Sequence, residues 1–369
     1  MNPAPYRLIS EHDVEELRAS RHPMARVKYA IAGHPVAHSL SPLLLGLVVS
    51  NLEKFGKKLE FTMKQTSVEL VETSSIEDAL GWGYAGHSPH VPKWAYTGAP
   101  FGKYRTEALL MRAIGSAMEI EDSDPRLSSD FEVRLTKPSL PSKESLLRKS
   151  VHHLPTQCLE QEVWLSLTSP LKHQLSSEAV SSIDDSMDIQ AVNALRWDGQ
   201  GWWCAGVDGL GVASIARYHG VVIESGALLG LRGGGGAARA TADAWLKAGG
   251  NIRLFPGKRL LELPVEVESD ESGKILDFAV DFDGGPIVPA SFESCLLQLN
   301  PRYQPMEGDF DRRVEHMLST PFDGRWMLAA QHLEAWSRLW APQYADFLPS
   351  LGLLLTQLLH AEKILFEHA

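Results

Sequence analysis

The chain has 369 residues, 44% hydrophobic and 22% charged, the balance of an ordinary globular protein with chain enough for about two domains. A formal net charge of -11 argues against a broad basic footprint for nucleic acid. Three cysteines without CxxC spacing argue against a disulfide framework or a zinc site.

The start, MNPAPYRLISEHDVEELRAS, is polar and charged and is not a signal peptide. VKYAIAG, residues 27–33, is the first clear strand. A helix is expected from about Pro42 to Lys57, with Ser41 as its N-cap and Pro42 at the first helical position, where a missing N–H does no harm. The stretch of roughly 58–128 does not continue this rhythm. Its segment GWGYAGHSPHVPKWAYTGAPFGKY is rich in Gly, Pro and aromatics and reads as a long ordered loop or an inserted subdomain. His87 and His90 lie there without an acidic or cysteine partner nearby, so they read as polar surface and no metal is expected.

FEVRLTKPSL and KESLLRKSVHHL suggest a second strand–helix pair, and EVWLSLT a third strand running into SPLKHQL. This alternation predicts a parallel α/β sheet. Near residue 215 the pattern restarts: GALLGLRGGGGAARATADAWLKAGGNIRLF reads strand, glycine turn, helix, glycine stop, strand. Helices are expected from about Gly324 to Trp340 and from Leu348 onward. The most apolar window, LPSLGLLLTQLLHAEKILF, is broken by Gln357, His360, Glu362 and Lys363, so it reads as a packed helix and no membrane span is expected.

Gly233, Gly234, Gly235, Gly236, Ala237 and Ala238 fit G-x-G-x-x-A between an apolar strand and a helix. That context lets backbone N–H groups approach a pyrophosphate at a helix N-terminus. A nucleotide is therefore expected, the plain alternative being a flexible glycine turn. The next strand ends in Phe255-Pro256-Gly257-Lys258-Arg259 with no acid until Glu262, which favours a cofactor with a 2′-phosphate over one read through ribose hydroxyls. Arg239, on the first helical turn, adds a third cation. NADP is the expectation, NAD the alternative.

Elsewhere, polar groups recur in apolar surroundings. Ser39 and Ser41 stand in GHPVAHSLSP, Thr168 and Lys172 in SLTSPLK, Asn193 closes AVN, and Asp208 lies between glycines in CAGVDGLG. In WMLAAQHLEAWSRLW, Trp326, Ala329, Leu333, Trp336 and Trp340 form one apolar stripe, and Gln331 falls on a second, beside Leu328, Ala335 and Leu339. Gln331 is expected to be buried and in need of partners.

Over most of its length the chain resembles the shikimate dehydrogenase family. Gly33 to Pro42 is similar to that family's G-N-P-x-x-H-S-x-S-P, Ser166 to Lys172 to N-V-T-x-P-x-K, and Ala191 to Ala194 to A-x-N-T. Gly206 to Gly211 is similar to N-T-D-x-x-G, Gly233 to Ala237 to the G-A-G-G-A cofactor turn, and Gly324 to Gln331 to G-x-x-M-L-x-x-Q. The resemblance implies that Ser39 and Ser41 hold a substrate carboxylate and that Thr168, Lys172, Asn193, Asp208 and Gln331 hold ring hydroxyls, with Lys172 and Asp208 as the catalytic pair. It implies reversible NADPH-dependent reduction of 3-dehydroshikimate to shikimate, in the cytoplasm, by a monomer or homodimer without nucleic-acid or membrane partners. The serine pair leans toward shikimate over quinate. A quinate or related cyclohexane-carboxylate dehydrogenase and a non-catalytic shikimate-binding relative are the alternatives.

The departures are specific. Gly206 and Val207 replace Asn and Thr, the phosphate-reading N-R-T is replaced around Pro256 to Lys258, and the family's aspartate- and tyrosine-containing strand is not found between Asn300 and Gly324. The expected fold is α/β with two domains. A parallel-sheet substrate domain would span 1–212, with an insertion at about 58–128. A Rossmann-like domain would span 213–322, and C-terminal helices over 323–369 would return to the substrate domain.

Overall fold

The computed structural model describes residues 7–8, 26–55, 64–85, 107–128, 150–151, 161–177, 179–198, 201–261, 263, 273–284 and 290–367. Its elements begin with β1 (Arg7–Leu8), β2 (Arg26–Gly33), α1 (Ser41–Lys54), β3 (Lys64–Glu72), α2 (Ile76–Ala85), α3 (Glu107–Ala117) and β4 (Ser150–Val151). There follow β5 (Gln161–Leu167), β6 (Val180–Ser182), β7 (Ala194–Trp197), β8 (Trp202–Ala205), α4 (Asp208–Tyr218), β9 (Leu228–Arg232) and α5 (Gly236–Lys247). The rest is β10 (Asn251–Phe255), β11 (Phe278–Asp281), α6 (Ala290–Glu293), β12 (Gln298–Leu299), α7 (Phe310–Leu318), α8 (Gly324–Ala335) and α9 (Leu351–Glu367).

The fold is α/β, built on two main sheets. The first has six strands in the order β3-β2-β5-β7-β8-β6. β2 sits inside it because both its faces are apolar: Val27, Tyr29, Ala30, Ile31 and Ala32 are all buried, the pattern of a strand covered on two sides. The sheet is parallel across β3, β2 and β5 but antiparallel where β7 pairs with β5 and β8. It is therefore mixed where a parallel sheet was expected, since the short link from Trp197 to Trp202 allows only a return hairpin. The second sheet, β10-β9-β11-β12, is parallel throughout, as strands joined by crossover helices must be.

Two local expectations change. Leu40, not Ser41, is the N-cap of α1, and Ser41 is its first helical residue. The Ser39 hydroxyl accepts the Ser41 N–H at 3.2 Å, and the Ser41 hydroxyl is engaged with Tyr29. The stretch after residue 58 keeps the strand–helix rhythm: β3 pairs in parallel with β2, and α2 follows it. Its second half supplies α3, which packs on α1 and α9. The β-propensity of SVELVE was masked by the glycine-rich segment behind it. FEVRLTKPSL, KESLLRKS up to Lys149, His87 and His90 lie outside the described residues.

α8 and α9 return to the first sheet. Trp164 on β5 stacks on Trp340 at 5.7 Å between ring centroids and meets Trp336 edge-on at 4.9 Å; aromatic pairs in these arrangements add to their burial. α9 is tied to α1 by a buried amide pair, Asn51 Nδ2 donating to Gln357 Oε1 at 2.6 Å. Arg325, with a fully buried side chain, donates to Glu362 of α9 at 2.6 and 2.9 Å and to Asp323 at 2.9 Å. No helix among the described residues is long and apolar enough to cross a membrane.

Candidate functional site

A cleft of about 650 Å³ is lined from both sides of the molecule. Ser39, Ser41, Thr168, Lys172, Asn193, Asp208 and Gln331 all line it, joined by Ala237 and Phe282 from the second sheet's side. Residues from seven separated segments thus meet in one place, the common setting of a ligand site.

The centre of the cleft is a hydrogen-bonded chain. Asp208 opens α4 with its side chain 1% exposed. Lys172 Nζ donates to its Oδ2 at 2.6 Å, and Asn193 Nδ2 donates to its Oδ1 at 2.8 Å. Asn193 Oδ1 in turn accepts the Val207 N–H at 2.7 Å. Both carboxylate oxygens accept hydrogen bonds, which offsets the cost of burying them. A lysine ammonium carries three protons, and Lys172 lines the cleft while one proton is held by Asp208.

The serine end is equally fixed. Tyr29 is fully buried; its hydroxyl bonds Ser166 Oγ at 2.8 Å and also engages Ser41. Burial drives the Tyr29 phenol well above its ordinary range, and the two serine contacts offset only part of that. Tyr303 reaches the same end from the other side. Its hydroxyl accepts the Leu40 N–H at 3.2 Å and engages Ser39. Burial pushes the Tyr303 phenol up to about 12, opposed chiefly by the Leu40 N–H.

Gln331 is half-buried on the cleft wall, short of the full burial expected of it. Its neighbour His332 is 2% exposed, lines the cleft, and has neither ring nitrogen paired among the described residues. Burial lowers the His332 pKa to about 3. Among the described residues, no group of three or more His, Cys, Asp or Glu is placed to hold a metal ion.

The glycine turn follows β9 and opens α5, with Gly235 as an extended N-cap and no acidic residue in the first turn. Gly233 has φ +120, a conformation open to glycine and strained for other residues. Gly236 lies against Lys172: a β-carbon there would stand 3.1 Å from Lys172 Cβ. The turn and the half-buried Lys172 therefore share a wall, and a helix N-terminus without acidic residues suits a cofactor phosphate.

The three cations expected around that phosphate are placed differently from one another. Arg239 donates to Ile189 O and Gln190 O, both at 2.7 Å, and to Gly234 O at 3.1 Å. Three of its five N–H groups thus clasp the backbone, a use that sequence spacing does not reveal. Lys258 Nζ donates to Asp283 O at 3.2 Å. Arg259 is exposed; burial first, and then the Arg259 charge, lower the Arg239 pKa, so the two guanidinium groups share a field.

Sequence reasoning missed Tyr29, Ser166, Tyr303 and His332. Tyr303 follows the Asn300-Pro301 pair and had a readable signal there. Among the described residues no strand lies between Asn300 and Gly324: β12 ends at Leu299, and only an isolated bridge from Phe322 to Leu299 follows.

No protein-family profile matches the chain. Among curated proteins, shikimate dehydrogenases (NADP(+)) from two strains of Halobacterium salinarum are each 30% identical to it, over 47% of this chain and 71% of theirs. The chain belongs to the shikimate dehydrogenase family. A dehydroquinate dehydratase and shikimate dehydrogenase structure from S. pombe superposes with a TM-score of 0.50 at 14% identity, covering 90% of this chain and 53% of that one. At that identity the likeness is one of fold. A shikimate 5-dehydrogenase from Thermus thermophilus, in complex with shikimate, gives a TM-score of 0.49 at 18% identity, covering 93% of this chain and 100% of that one.

Proposed function

We propose that this member of the family is an NADP-dependent shikimate dehydrogenase, catalysing the reversible reduction of 3-dehydroshikimate to shikimate. The observation that carries the reading is the Lys172–Asp208–Asn193 chain in a cleft that also holds the serine pair and the glycine turn. Membership of the family and the NADP-linked Halobacterium relatives support the same reading.

Ser39 and Ser41 receive the substrate carboxylate, held ready by Tyr303 and Tyr29. Thr168, Asn193, Asp208 and Gln331 bind the ring hydroxyls. Bound NADPH supplies the hydride for the C3 carbonyl. Lys172 polarises that carbonyl and donates a proton to its oxygen as negative charge develops there, a step in which positioned acids contribute about 10²–10⁴-fold. Asp208 holds the ammonium in place through its 2.6 Å bond.

The cofactor is held by Gly233 to Ala237 at the start of α5, and its 2′-phosphate by Lys258, Arg259 and the free N–H groups of Arg239. The two sheets support a division into a substrate domain at 1–212, a cofactor domain at 213–322 and helices at 323–369 that complete the first. Purified protein given shikimate and NADP should reduce the cofactor, read as near-ultraviolet absorbance, with NAD and quinate as the parallel arms. Absence of reduction with every pair, while shikimate still raises the melting temperature, would replace the enzyme with a shikimate-binding protein.

A further inference from the structure

The second sheet ends in three loops that meet at one point. The turn after β9 contains Gly233, the loop after β10 contains Gly257 and Lys258, and the loop after β11 contains Asp283. Asp283 reaches across: one carboxylate oxygen accepts the Lys258 backbone N–H, the Lys258 ammonium donates to the Asp283 carbonyl at 3.2 Å, and the same carboxylate lies against Gly257. The other oxygen would stand 3.5 Å from a β-carbon placed on Gly233.

This carboxylate is not a wandering surface group. Asp281 Oδ1 accepts the N–H groups of Asp283 and Gly284, both at 3.0 Å, and Asp281 is itself paired with Arg232 at 3.2 Å. Arg302 donates to the Asp283 carbonyl at 2.8 Å. The loop is thus built to present Asp283 to the end of β10. In a parallel α/β sheet that end is where the 2′ position of a dinucleotide is read, an acid there accepting ribose hydroxyls and a cation accepting a 2′-phosphate. The sequence shows no acid in the stretch after β10 until Glu262; the fold delivers one from the loop after β11, on the far side of β9.

We propose that Asp283 is a specificity-determining residue for the cofactor, weakening recognition of the 2′-phosphate by competing with it for Lys258. The inference rests on the reading of the glycine turn as the cofactor site. The Asp283 carboxylate occupies the Lys258 N–H that a 2′-phosphate would use, and the phosphate meets a like charge when it arrives. An unphosphorylated ribose meets only an acceptor for its hydroxyls. Asp283 therefore narrows the preference for NADP over NAD that Lys258, Arg259 and Arg239 create.

The test is calorimetric binding of 2′,5′-ADP and of AMP to the wild-type chain and to Asp283→Asn, which keeps an acceptor for the Lys258 N–H and removes the charge. Asp283→Asn should bind 2′,5′-ADP about tenfold more tightly, with AMP unchanged within about threefold. Asp283→Ser should shift the ratio in the same direction, and both variants should melt within a few degrees of wild type. Equal changes for the two nucleotides would make Asp283 a steric gate without specificity and overturn the proposal. So would an unchanged ratio, or failure of both nucleotides to bind. The shikimate assay separates the two ideas: turnover with an unchanged ratio removes only Asp283, whereas absence of turnover removes the enzyme reading itself.

Discussion

Asp208 lines the cleft and Asp283 follows Phe282, which also lines it, yet the two carboxylates are held in opposite ways. Asp208 has a side chain 1% exposed, with Lys172 and Asn193 on its two oxygens. Asp283 is half-buried and bonds a loop N–H that a ligand can also use. The first arrangement is complete before anything binds. The second has to be exchanged. The proposed substrate side is hydrogen-bonded before anything binds, so its charges would need no rearrangement in a reaction there, while the proposed cofactor side is set by loop contacts that a ligand would have to exchange.

The sharpest test of that contrast is Lys172→Ala. It removes the proposed proton donor and leaves Asp208 buried with only Asn193, and turnover should fall about 10²–10⁴-fold with a smaller loss of shikimate affinity. The comparison is between single-turnover rates and the shikimate dissociation constant. Near-normal turnover would show that the preorganised side is not where the chemistry is done.

Arg325→Met tests whether preorganisation extends from the cleft into the frame behind it. The Arg325 side chain is fully buried between Asp323 and Glu362, and it faces the Tyr303 ring at 5.3 Å. Removing one partner of a buried ion cluster strands the others, at a cost of about 3–5 kcal/mol. Chemical denaturation should show that loss, together with weaker shikimate binding through Tyr303 and Ser39. Loss of stability with intact affinity would confine Arg325 to the packing of α9.

What was legible in the sequence follows the same division. The seven polar residues of the substrate side stand inside local patterns, each tied to one strand end or helix, and they meet in the cleft. The glycine turn was equally plain, because its spacing and its flanking strand and helix are contiguous. Contacts between loops far apart in sequence were not. Asp283 reaches Lys258 across 25 positions, and Arg239 turns its guanidinium to a loop 49 and 50 positions earlier. β3 was hidden by the composition of the segment after it, and Tyr303 by its displacement from the strand where a tyrosine was sought. Local chemistry writes itself into spacing; loop-to-loop chemistry does not.

His332 offers a pH-dependent version of the comparison. Its imidazole is buried without a partner among the described residues, and burial lowers its pKa from 6.5 to about 3. The unfolded chain therefore takes up a proton below its ordinary pKa while the folded one does not. The stability contribution is present above about pH 6.5 and is lost progressively as pH falls toward 3. His219, lowered to about 4 by burial, adds a loss of the same sign. In His332→Leu the proton uptake is absent, so the variant should gain about 2 kcal/mol relative to wild type between about pH 8 and about pH 5. A stability gap independent of pH would mean that the imidazole finds a partner on acidification.

The smallest effect is expected where the two sides of the cleft are joined at the surface. Lys247 on α5 donates to Asp185 and to Asp243, each at 2.7 Å, and its side chain is 51% exposed. Asp185 belongs to the same loop that Arg239 clasps through Ile189 and Gln190. Solvent screens the Lys247 pairs, and exposed ion pairs contribute about 0–1 kcal/mol, so Lys247→Ala should leave the denaturation midpoint nearly unchanged. Arg239→Ala, which strands three backbone carbonyls, should cost more and should raise the Michaelis constant for NADP. If Lys247→Ala instead matched Arg239→Ala, the join between the two sides would be electrostatic and spread over the surface, and it would weaken in high salt. The geometry favours the opposite: a join made by one guanidinium aimed at fixed carbonyls, insensitive to salt, with the lysine as a solvated neighbour.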